Sequence, residues 1–412
     1  TGDRAFGLYS AGGAVQAVGG KIATGGASSD AVYALSGANV NIARAGVSTT
    51  GDGSRALVLA GTGTSFTGSN LTIATSGAGS VGFLAQSVGG GGGAVISAYN
   101  NSGATSFGAN VGGSGDGADN GATINVTTYN HAVSTAGANA PALVAQAVGS
   151  GGAFYSESNA ASIGAMAVNL TLGGSTGIGG GLTVALTLGS GGATPISTQG
   201  ANAFGVIAQS VGGGGGLVMN GTSATLQSGH GGGSNGAVNV YANASITTSG
   251  NGSNAVYLKA GVDPTLNVAA GAALTGGAGG SAVTFDAPIN NLNNSGALAT
   301  LDGANGLAVQ ALSGDTDIEN GGALTGDVQL AAGGANVLHN LAGGVISAGA
   351  SLDLGGTGQL QNDGVLRSAS ASAAAITING GLTQSSTGEL VVHIDRAANA
   401  VDVFKVAGTA RL

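Results

Sequence analysis

Short alternations of apolar and polar residues run along the chain and are separated by clusters of Gly, Ser and Asn. In the stretches 37–51, 121–137 and 236–250, apolar residues recur at every second position, as at Val40 and Ile42. A period of two is typical of a β-strand with one buried face. No helical period or helix-capping pattern accompanies these stretches, so the sequence predicts an all-β protein.

A repeat unit of about 25 residues organises these strands. Each copy has a Gly, four further residues, and then a small residue with a short apolar run. The copies begin at Gly2, Gly26, Gly51, Gly77, Gly137, Gly200, Gly250, Gly277 and Gly303, with spacings of 24, 25, 26, 60, 63, 50, 27 and 26 residues. So short a unit cannot enclose its own core, but stacked units pair each strand with its equivalents above and below. The expected fold is a parallel β-helix.

Glycine runs mark the three long spacings. The sequence AQSVGGGGG occurs at Ala85–Gly93 and again at Ala208–Gly216, and a weaker copy, AQAVGSGG, lies at Ala145–Gly152. Because Gly in a strand costs about 0.5–1 kcal/mol relative to Ala, we expect these runs where the backbone needs angles that other residues avoid. There the chain either leaves the coil for a loop or adds a rung of a different shape. The inserts, which are the expected contact surfaces, span about 94–120, 153–180 and 217–236.

The repeat changes after about residue 290. An Asn-x-Gly-x-Leu pattern recurs within 293–298, 319–324 and 361–366, with a variant at 340–346. The copies end 26, 22 and 20 residues apart, so the coils narrow. We expect Asn at an equivalent turn of each coil to form a hydrogen-bonded ladder and to tolerate the left-handed backbone conformation. The predicted organisation is a β-helix stalk with Gly-rich insertions over 1–312, and narrower C-terminal coils with a cap over 313–412.

Composition narrows the classes of function. The chain has a net charge of −9 with only nine Lys and Arg residues, which argues against a nucleic-acid partner. No apolar run reaches the ~20 residues of a membrane helix, so we expect no transmembrane segment. The absence of Cys excludes disulfides and thiolate metal sites. The chain begins at Thr1 in mid-pattern and shows no signal peptide, so we expect it to be a segment of a longer protein.

Several short motifs in the sequence match patterns that are associated with catalysis or ligand binding. The repeat and the high Gly content explain them better than an active site does. The sequence GAGSVG at Gly77–Gly82 matches a dinucleotide fingerprint, but a strand-like run follows where a helix is required. The matches to G-x-S-x-G at Gly173–Gly177 and Gly232–Gly236 are as frequent as chance predicts in so Gly-rich a chain. The sequence at Gly112–Asp119 resembles a calcium repeat but occurs once, with its Asp residues misplaced.

The histidines provide no metal site either. None has a second His or a carboxylate at ligand spacing in the sequence; they are His131, His230, His339 and His393. We therefore expect no catalytic, cofactor-binding or metal-binding residues and no cofactor, and we expect that the chain is not an enzyme. A β-helix enzyme that degrades polysaccharide with carboxylates on one face is the less favoured alternative, because charged residues are so sparse.

The C-terminal segment Gly380–Leu412 reads GGLTQSSTGELVVHIDRAANAVDVFKVAGTARL. Leu390, Val392 and Ile394 alternate with other residues, and a second strand-like run follows RAANA, so a strand, a loop and a strand are expected to cap the stack. This segment resembles the autochaperone region at the passenger C-terminus of Gram-negative type V autotransporters. The sequences GFLAQSVGGGGG and GVIAQSVGGGGG are also similar to those of glycine-rich, pertactin-like passengers of that family.

The resemblance implies a right-handed β-helix that is exported through an outer-membrane translocator β-barrel following it in the full-length chain. In this family, the C-terminal coils fold first and template the others. The chain would then lie at the cell surface or outside the cell, attached to or released from the outer membrane. We expect a rigid stalk whose loops serve adhesion to a host or neighbouring cell, or self-association. An inert stalk that carries an upstream effector domain is the main alternative.

Overall fold

The structure is a computed structural model. It describes residues 2–35, 37–61, 65–89, 92–97, 106–111, 124–129, 131–157, 167–172, 180–190, 195–220, 223–227 and 235–412. In this part of the chain, every strand pairing is parallel except those of two short hairpins. The helical content of the same residues is one 3-10 turn at Gly303–Asn305.

The strands are short and follow one another throughout the described ranges. In chain order they are β1 Leu8–Ser10, β2 Gly13–Val18, β3 Lys21–Thr24, β4 Val32–Ala34, β5 Ala38–Ala43, β6 Gly46–Thr49, β7 Leu57–Ala60, β8 Ser65–Ser69, β9 Thr72–Thr75, β10 Phe83–Val88, β11 Gly92–Ser97, β12 Ser106–Val111, β13 Ile124–Tyr129, β14 Ala132–Thr135, β15 Leu143–Val148, β16 Gly152–Glu157, β17 Ala167–Leu172, β18 Val184–Ser190, β19 Ile196–Thr198, β20 Val206–Val211, β21 Gly216–Asn220, β22 Ser223–Gln227, β23 Val238–Ala242, β24 Ile246–Thr248, β25 Val256–Ala260, β26 Thr265–Val268, β27 Ala273–Gly276, β28 Ser281–Asp286, β29 Ile289–Asn294, β30 Ala297–Thr300, β31 Leu307–Ala311, β32 Asp315–Asn320, β33 Ala323–Gln329, β34 Val337–Asn340, β35 Val345–Asp353, β36 Gln359–Asn362, β37 Val365–Ser368, β38 Ala375–Asn379, β39 Gly381–Gln384, β40 Glu389–Val391, β41 Ile394–Asp395, β42 Ala400–Val401, β43 Val403–Val406 and β44 Ala410–Arg411.

These strands stack into three parallel ladders that spiral around one axis. Ladder A consists of β1, β4, β7, β10, β15, β20, β25, β28, β31, β33, β35, β38 and β43. Ladder B consists of β3, β6, β9, β14, β19, β24, β27, β30, β33, β35, β37 and β40. Ladder C consists of β2, β5 and β8, and then of β13, β18, β23, β26, β29, β32, β34, β36, β39 and β44. The fold is thus the predicted right-handed parallel β-helix, and the chain visits A, C and B in each coil.

The register of ladder A follows the repeat. Val32 pairs with Leu57, Leu57 with Phe83, Phe83 with Leu143, and Leu143 with Val206. The long spacings of the sequence therefore separate strands that are adjacent in the ladder. The extra residues of these coils leave the ladder after one strand and return to it at the equivalent point of the next coil.

One apolar core fills the coils from Ala31 to Leu382. Its side chains come from alternate strand positions, as predicted: in β5, Val40 and Ile42 are fully buried, whereas Asn39 between two buried neighbours is exposed. Each fully buried Val, Leu or Ile contributes about 1.5–3 kcal/mol relative to an exposed one. The core is narrow because each coil supplies only a few such side chains.

The inserts add strands to the three enlarged coils. The strands β11, β16 and β21 pair in parallel, β12 pairs with β17, and β22 folds back on β21. The sequence left open whether the inserts are loops or added rungs of a different shape. The described parts of the inserts form added rungs, at 92–97, 106–111, 152–157, 167–172, 216–220 and 223–227. Gly213, Gly214, Gly215 and Gly216 have φ angles of 70°, 92°, 120° and 144°. That second glycine run thus occupies angles that other residues avoid.

The first Gly of the repeat lies at the corner between ladders B and A. A Cβ on Gly51, Gly77, Gly137, Gly200 or Gly250 would overlap the carbonyl oxygen of the corner Gly in the preceding coil. The backbones of neighbouring coils therefore touch at this corner, and only Gly leaves room for the contact. We call this set the glycine corner.

A buried threonine precedes each glycine corner by two residues. The side-chain hydroxyl of Thr49 donates to the carbonyl oxygen of Ser54 at 2.7 Å, that of Thr75 to Ser80 at 2.7 Å, and that of Thr248 to Ser253 at 2.9 Å. The hydroxyl thus closes the five-residue corner from inside the coil, where water does not reach the carbonyl group. In the sequence, this corner bond corresponds to the pattern Thr-x-Gly, which was not part of the predicted repeat.

We expect the substitution Thr49→Val to lower the free energy of unfolding by about 1–2 kcal/mol, because the buried carbonyl of Ser54 loses its partner. The neighbouring Thr50 is exposed, so Thr50→Val is the matched control and should stay within ~0.5 kcal/mol. Urea titrations followed by circular dichroism measure both variants. Equal losses in the two would show that the corner bond does not stabilise the coil.

The C-terminal segment continues the ladders and adds a small hairpin. Strand β43 pairs with β38, β44 pairs with β39, and β41 and β42 form an antiparallel pair around the RAANA sequence. The alternation predicted for Leu390, Val392 and Ile394 does not bury one face, because all three are 36–65% exposed, as is Val391 between them at 43%. Apolar side chains therefore cover the outside of this end.

Candidate interaction surface

The strands β10, β15 and β20 of ladder A are buried on both faces. Their inner side chains join the main core, whereas Leu84, Val144 and Ile207 point outwards into a second apolar cluster. The inserts cover this cluster with Leu217 and Met219 of β21. The members that complete it are Val58, Val81, Phe204, Leu226 and Tyr257. The continuous apolar runs FLAQSV, LVAQAV and VIAQSV thus reflect a ladder with a layer on each side.

A column of glutamines crosses the same covered face. The side-chain amide of Gln86 donates to that of Gln146 at 3.2 Å, Gln146 donates to Gln209 at 2.9 Å, and Gln209 donates to the carbonyl oxygen of Gly216 at 3.2 Å. All three glutamines are at least 96% buried. Because buried amides are costly unless they are paired, this column fixes the register of the enlarged coils and ties them to the insert.

In the next two coils, the positions equivalent to these glutamines carry a charged pair. Lys259, which pairs in register with Gln209, forms a salt bridge with Asp286 of the following coil. Beside them, burial raises the pKa of the Tyr257 hydroxyl far above its ordinary value, and the negative charge of Asp286 raises that pKa further. The raised pKa keeps the Tyr257 hydroxyl protonated to higher pH than in an exposed tyrosine, so the covered face ends in a neutral ring next to a salt bridge.

At the N-terminal end, the outer face of ladder A is uncovered. The rings of Phe6, Tyr9 and Tyr33 lie within 5.3–6.1 Å of one another, and Phe6 and Tyr9 are about half exposed. The guanidinium of Arg55 lies 5.3 Å from the centre of the Tyr33 ring and forms a buried salt bridge with Asp30. Tyr33 also packs against the covered apolar cluster, so the aromatic group continues that face.

The predicted asparagine ladder is present in the C-terminal coils. The side-chain amide of Asn294 donates to Asn320 at 2.7 Å, Asn320 to Asn340 at 2.8 Å, and Asn340 to Asn362 at 2.7 Å; Asn362 then donates to Gln384 at 2.9 Å. The four asparagines are fully or almost fully buried. The prediction of left-handed backbone was wrong for them, because each ends a strand of ladder C and none has a positive φ.

The other sequence motifs lie where the repeat places them. Gly77–Gly82 forms a corner that runs into a strand, so it lacks the helix that a phosphate loop requires. The motif at Gly173–Gly177 and the sequence Gly112–Asp119 lie outside the described residues, as does all but the end of Gly232–Gly236. His230 lies outside them too, and His131 is buried, with its Nδ1 3.3 Å from the amide of Leu71.

One histidine does have a carboxylate beside it. The Nε2 atom of His339 lies 2.8 Å from Asp363 Oδ2 of the next coil. The sequence could not show this contact, because it depends on the register between coils. His393 lies in the C-terminal segment, where its backbone amide donates to Asp402. Within the described ranges, no three His, Cys, Asp or Glu residues come together as a possible metal site.

The pair predicts a small pH effect. The hydrogen bond from His339, and then that from Ser385, hold the pKa of the Asp363 carboxyl below its ordinary value of 3.8. A carboxyl group whose pKa is lower in the folded than in the unfolded state stabilises the folded protein above pH ~4. This stabilisation is lost as the pH falls through the folded-state pKa. Because the Asp363 side chain is 36% exposed and water screens its charge, we expect a weak effect. Comparing acid unfolding of the protein and of its Asp363→Asn variant tests this: the difference should vanish at low pH, and an unchanged difference would contradict it.

The described part of the chain contains no helix that is long and apolar enough to cross a membrane. The described surface thus combines a covered apolar face that has an aromatic end with the exposed apolar side chains of the C-terminal segment. Comparisons with protein-family models, with curated protein sequences and with solved structures found no match to this chain.

Proposed function

We propose that this chain is a surface-exposed passenger segment of an autotransporter, which acts as a rigid stalk and presents its inserts for adhesion or self-association. The observation that carries this proposal is the unbroken ladder A, whose thirteen strands extend from β1 to β43. At a strand spacing of about 4.8 Å, they give a rod roughly 60 Å long. The C-terminal resemblance to autochaperone regions supports the assignment to this family.

Rigidity is supported by the buried polar columns. The glutamine column links three enlarged coils, and the asparagine ladder links four C-terminal coils. Satisfied buried networks favour one register over all others. A rod that keeps its register holds the inserts at fixed positions, which is what a stalk requires.

Adhesion is tested with beads that carry the purified chain. The matched variant lacks residues 94–120, 153–180 and 217–236 and carries Leu84→Thr, Val144→Thr and Ile207→Thr on the uncovered face. Threonine is chosen because Thr284 holds the equivalent register position in a coil without an insert. We expect beads with the intact chain to cluster or to bind cultured epithelial cells, and beads with the variant to do neither. Equal adhesion by both would refute the role of the inserts, and no adhesion by either would favour the carrier stalk.

Templating by the C-terminal coils is tested by folding kinetics. Ile378 in β38 and Ile42 in β5 are both fully buried, and Ile→Val costs about 1 kcal/mol at such sites. If the C-terminal coils form first, Ile378→Val slows refolding about fivefold, whereas Ile42→Val leaves refolding unchanged and speeds unfolding by a similar factor. Stopped-flow fluorescence or circular dichroism measures both rates. The reverse pattern would exclude C-terminal templating.

A further inference from the structure

A polar cleft opens at the glycine corner beyond the covered face, where the coils of β25, β28 and β31 meet. Its volume is about 210 Å³, and its walls include Asn254, Ser281, Asp302, Asn305, Leu307 and Gln310. Pockets that enclose a drug-sized ligand usually measure ~300–1,000 Å³. This cleft is therefore suited to a single ring of a larger ligand.

Several of these polar groups are held in place by neighbouring coils. One oxygen of Asp302 accepts a hydrogen bond from the amide of Gly279 at 2.7 Å, and the side chain of Asn254 accepts one from the amide of Ser281 at 2.9 Å. In the described part of the chain, the second Asp302 oxygen and the side-chain amide of Asn305 have no hydrogen-bond partner. The cleft thus offers a carboxylate oxygen, an amide oxygen and amide hydrogens to a ligand.

A column of polar side chains leads away from the cleft along the rod. Gln310, Gln329, Asp353 and Asn379 occupy equivalent outward positions in successive coils of ladder A, and the buried Thr284 holds the position before them. Gln310 donates to Gln329 at 3.3 Å, and Asn379 donates to Asp353 at 2.7 Å. These positions recur at about 4.8 Å, the strand spacing. The sugars of an extended glycan chain repeat at a similar distance, so one sugar meets one coil.

The chemistry of this surface fits a neutral saccharide. Sugar hydroxyls both donate and accept hydrogen bonds, which matches a surface of amides with a few carboxylates. Leu307 offers an apolar contact to the C–H face of a ring. The carboxylates of Asp302 and Asp353 repel an anionic sugar.

We propose that the cleft binds one ring of a neutral polysaccharide whose chain lies along this column. The site goes beyond the stalk proposed above, because a stalk that adheres through its inserts does not need it. Asn305 and Gln310 hold the ring, and the column from Gln329 to Asn379 holds the sugars that follow. The proposal involves binding alone, without a chemical step.

Isothermal titration calorimetry of the full chain with maltohexaose, cellohexaose, chitohexaose and hexagalacturonate tests this site. We expect at least one neutral hexasaccharide to bind, hexagalacturonate to bind at least tenfold more weakly, and the corresponding monosaccharide to bind at least tenfold more weakly than its hexasaccharide. Asn305→Ala and Gln310→Ala should each weaken hexasaccharide binding at least tenfold. Gln359→Ala, an exposed glutamine on ladder C, is the matched control and should bind as the parent chain does.

The proposal is overturned if none of the three neutral hexasaccharides binds, if the Asn305 and Gln310 variants bind as tightly as the parent, or if hexagalacturonate binds equally well. Equal affinity for monosaccharide and hexasaccharide would overturn the role of the column. Circular dichroism checks that the surface variants fold. Adhesion of coated beads through the inserts is a separate readout, so a failure of the sugar site leaves the stalk proposal standing.

Discussion

Gly200→Ala should destabilise the protein by about 3 kcal/mol. A Cβ on Gly200 would overlap the carbonyl group of Gly137 and the amide nitrogen of Ala138, both of them backbone atoms of the preceding coil. Backbone cannot rotate away as a flexible side chain can, so the two coils must separate locally and lose packing on either side. Guanidinium titration followed by circular dichroism gives the change in free energy of unfolding.

Gly2→Ala is the matched control. Gly2 belongs to the same corner column, since Gly26 approaches its carbonyl oxygen, but a Cβ on Gly2 would meet no atom within 4 Å. The substitution should therefore be neutral, or slightly stabilising through the lower entropy of the unfolded chain. A loss of 3 kcal/mol in both variants would point to intrinsic backbone preference, and a loss in neither would remove the glycine corner as a cause of stability.

Asn340→Ala should cost about 3 kcal/mol as well. Asn340 lies in the middle of the ladder, where it accepts a hydrogen bond from Asn320 and donates one to Asn362. Its removal leaves a buried donor on one neighbour and a buried acceptor on the other, and each unsatisfied group costs ~1–3 kcal/mol. It also opens a small cavity in the core. Thermal and chemical unfolding both report the loss.

Asn293→Ala provides the comparison at the outside of ladder C. Asn293 donates to Asn267 at 3.0 Å, but it is only half-buried and water can replace this partner. We expect a change of at most ~0.5–1 kcal/mol. If both asparagine variants lost the same stability, burial of the ladder would not be the source of its contribution.

Much of the fold could be predicted because the coils from Gly26 to Gly277 use the same corner. The backbone contact at Gly51, Gly77 and Gly137 admits no other residue, so each of these glycines in the sequence marks one coil in space. The asparagine ladder was predictable for a similar reason: a buried amide needs a hydrogen-bonding partner in the coils above and below, so Asn recurs with a following Gly.

The surface was less predictable, because it depends on contacts between residues that are far apart in sequence. Gln146 meets Gln86 and Gln209 across 60 and 63 residues, and nothing local shows that an insert covers them. Their recurrence in the three AQSV and AQAV copies was the available signal. The pair of His339 and Asp363 and the cleft around Asp302 arise only when neighbouring coils are in register. Sequence periodicity predicts which residues form the interior. The register between neighbouring coils determines which side chains meet on the surface.

The glycine corner also bears on how such a chain changes over evolutionary time. Because the coils from Gly26 to Gly277 meet through the same backbone contact, duplicating or deleting one unit of this region leaves the remaining corners intact. The length of the rod then changes by whole coils, and the rod can become longer or shorter while the packing of its core is kept. The inserts at 94–120, 153–180 and 217–236 follow the strands β10, β15 and β20 of ladder A, so new surfaces can be gained there while the axis of the rod is conserved.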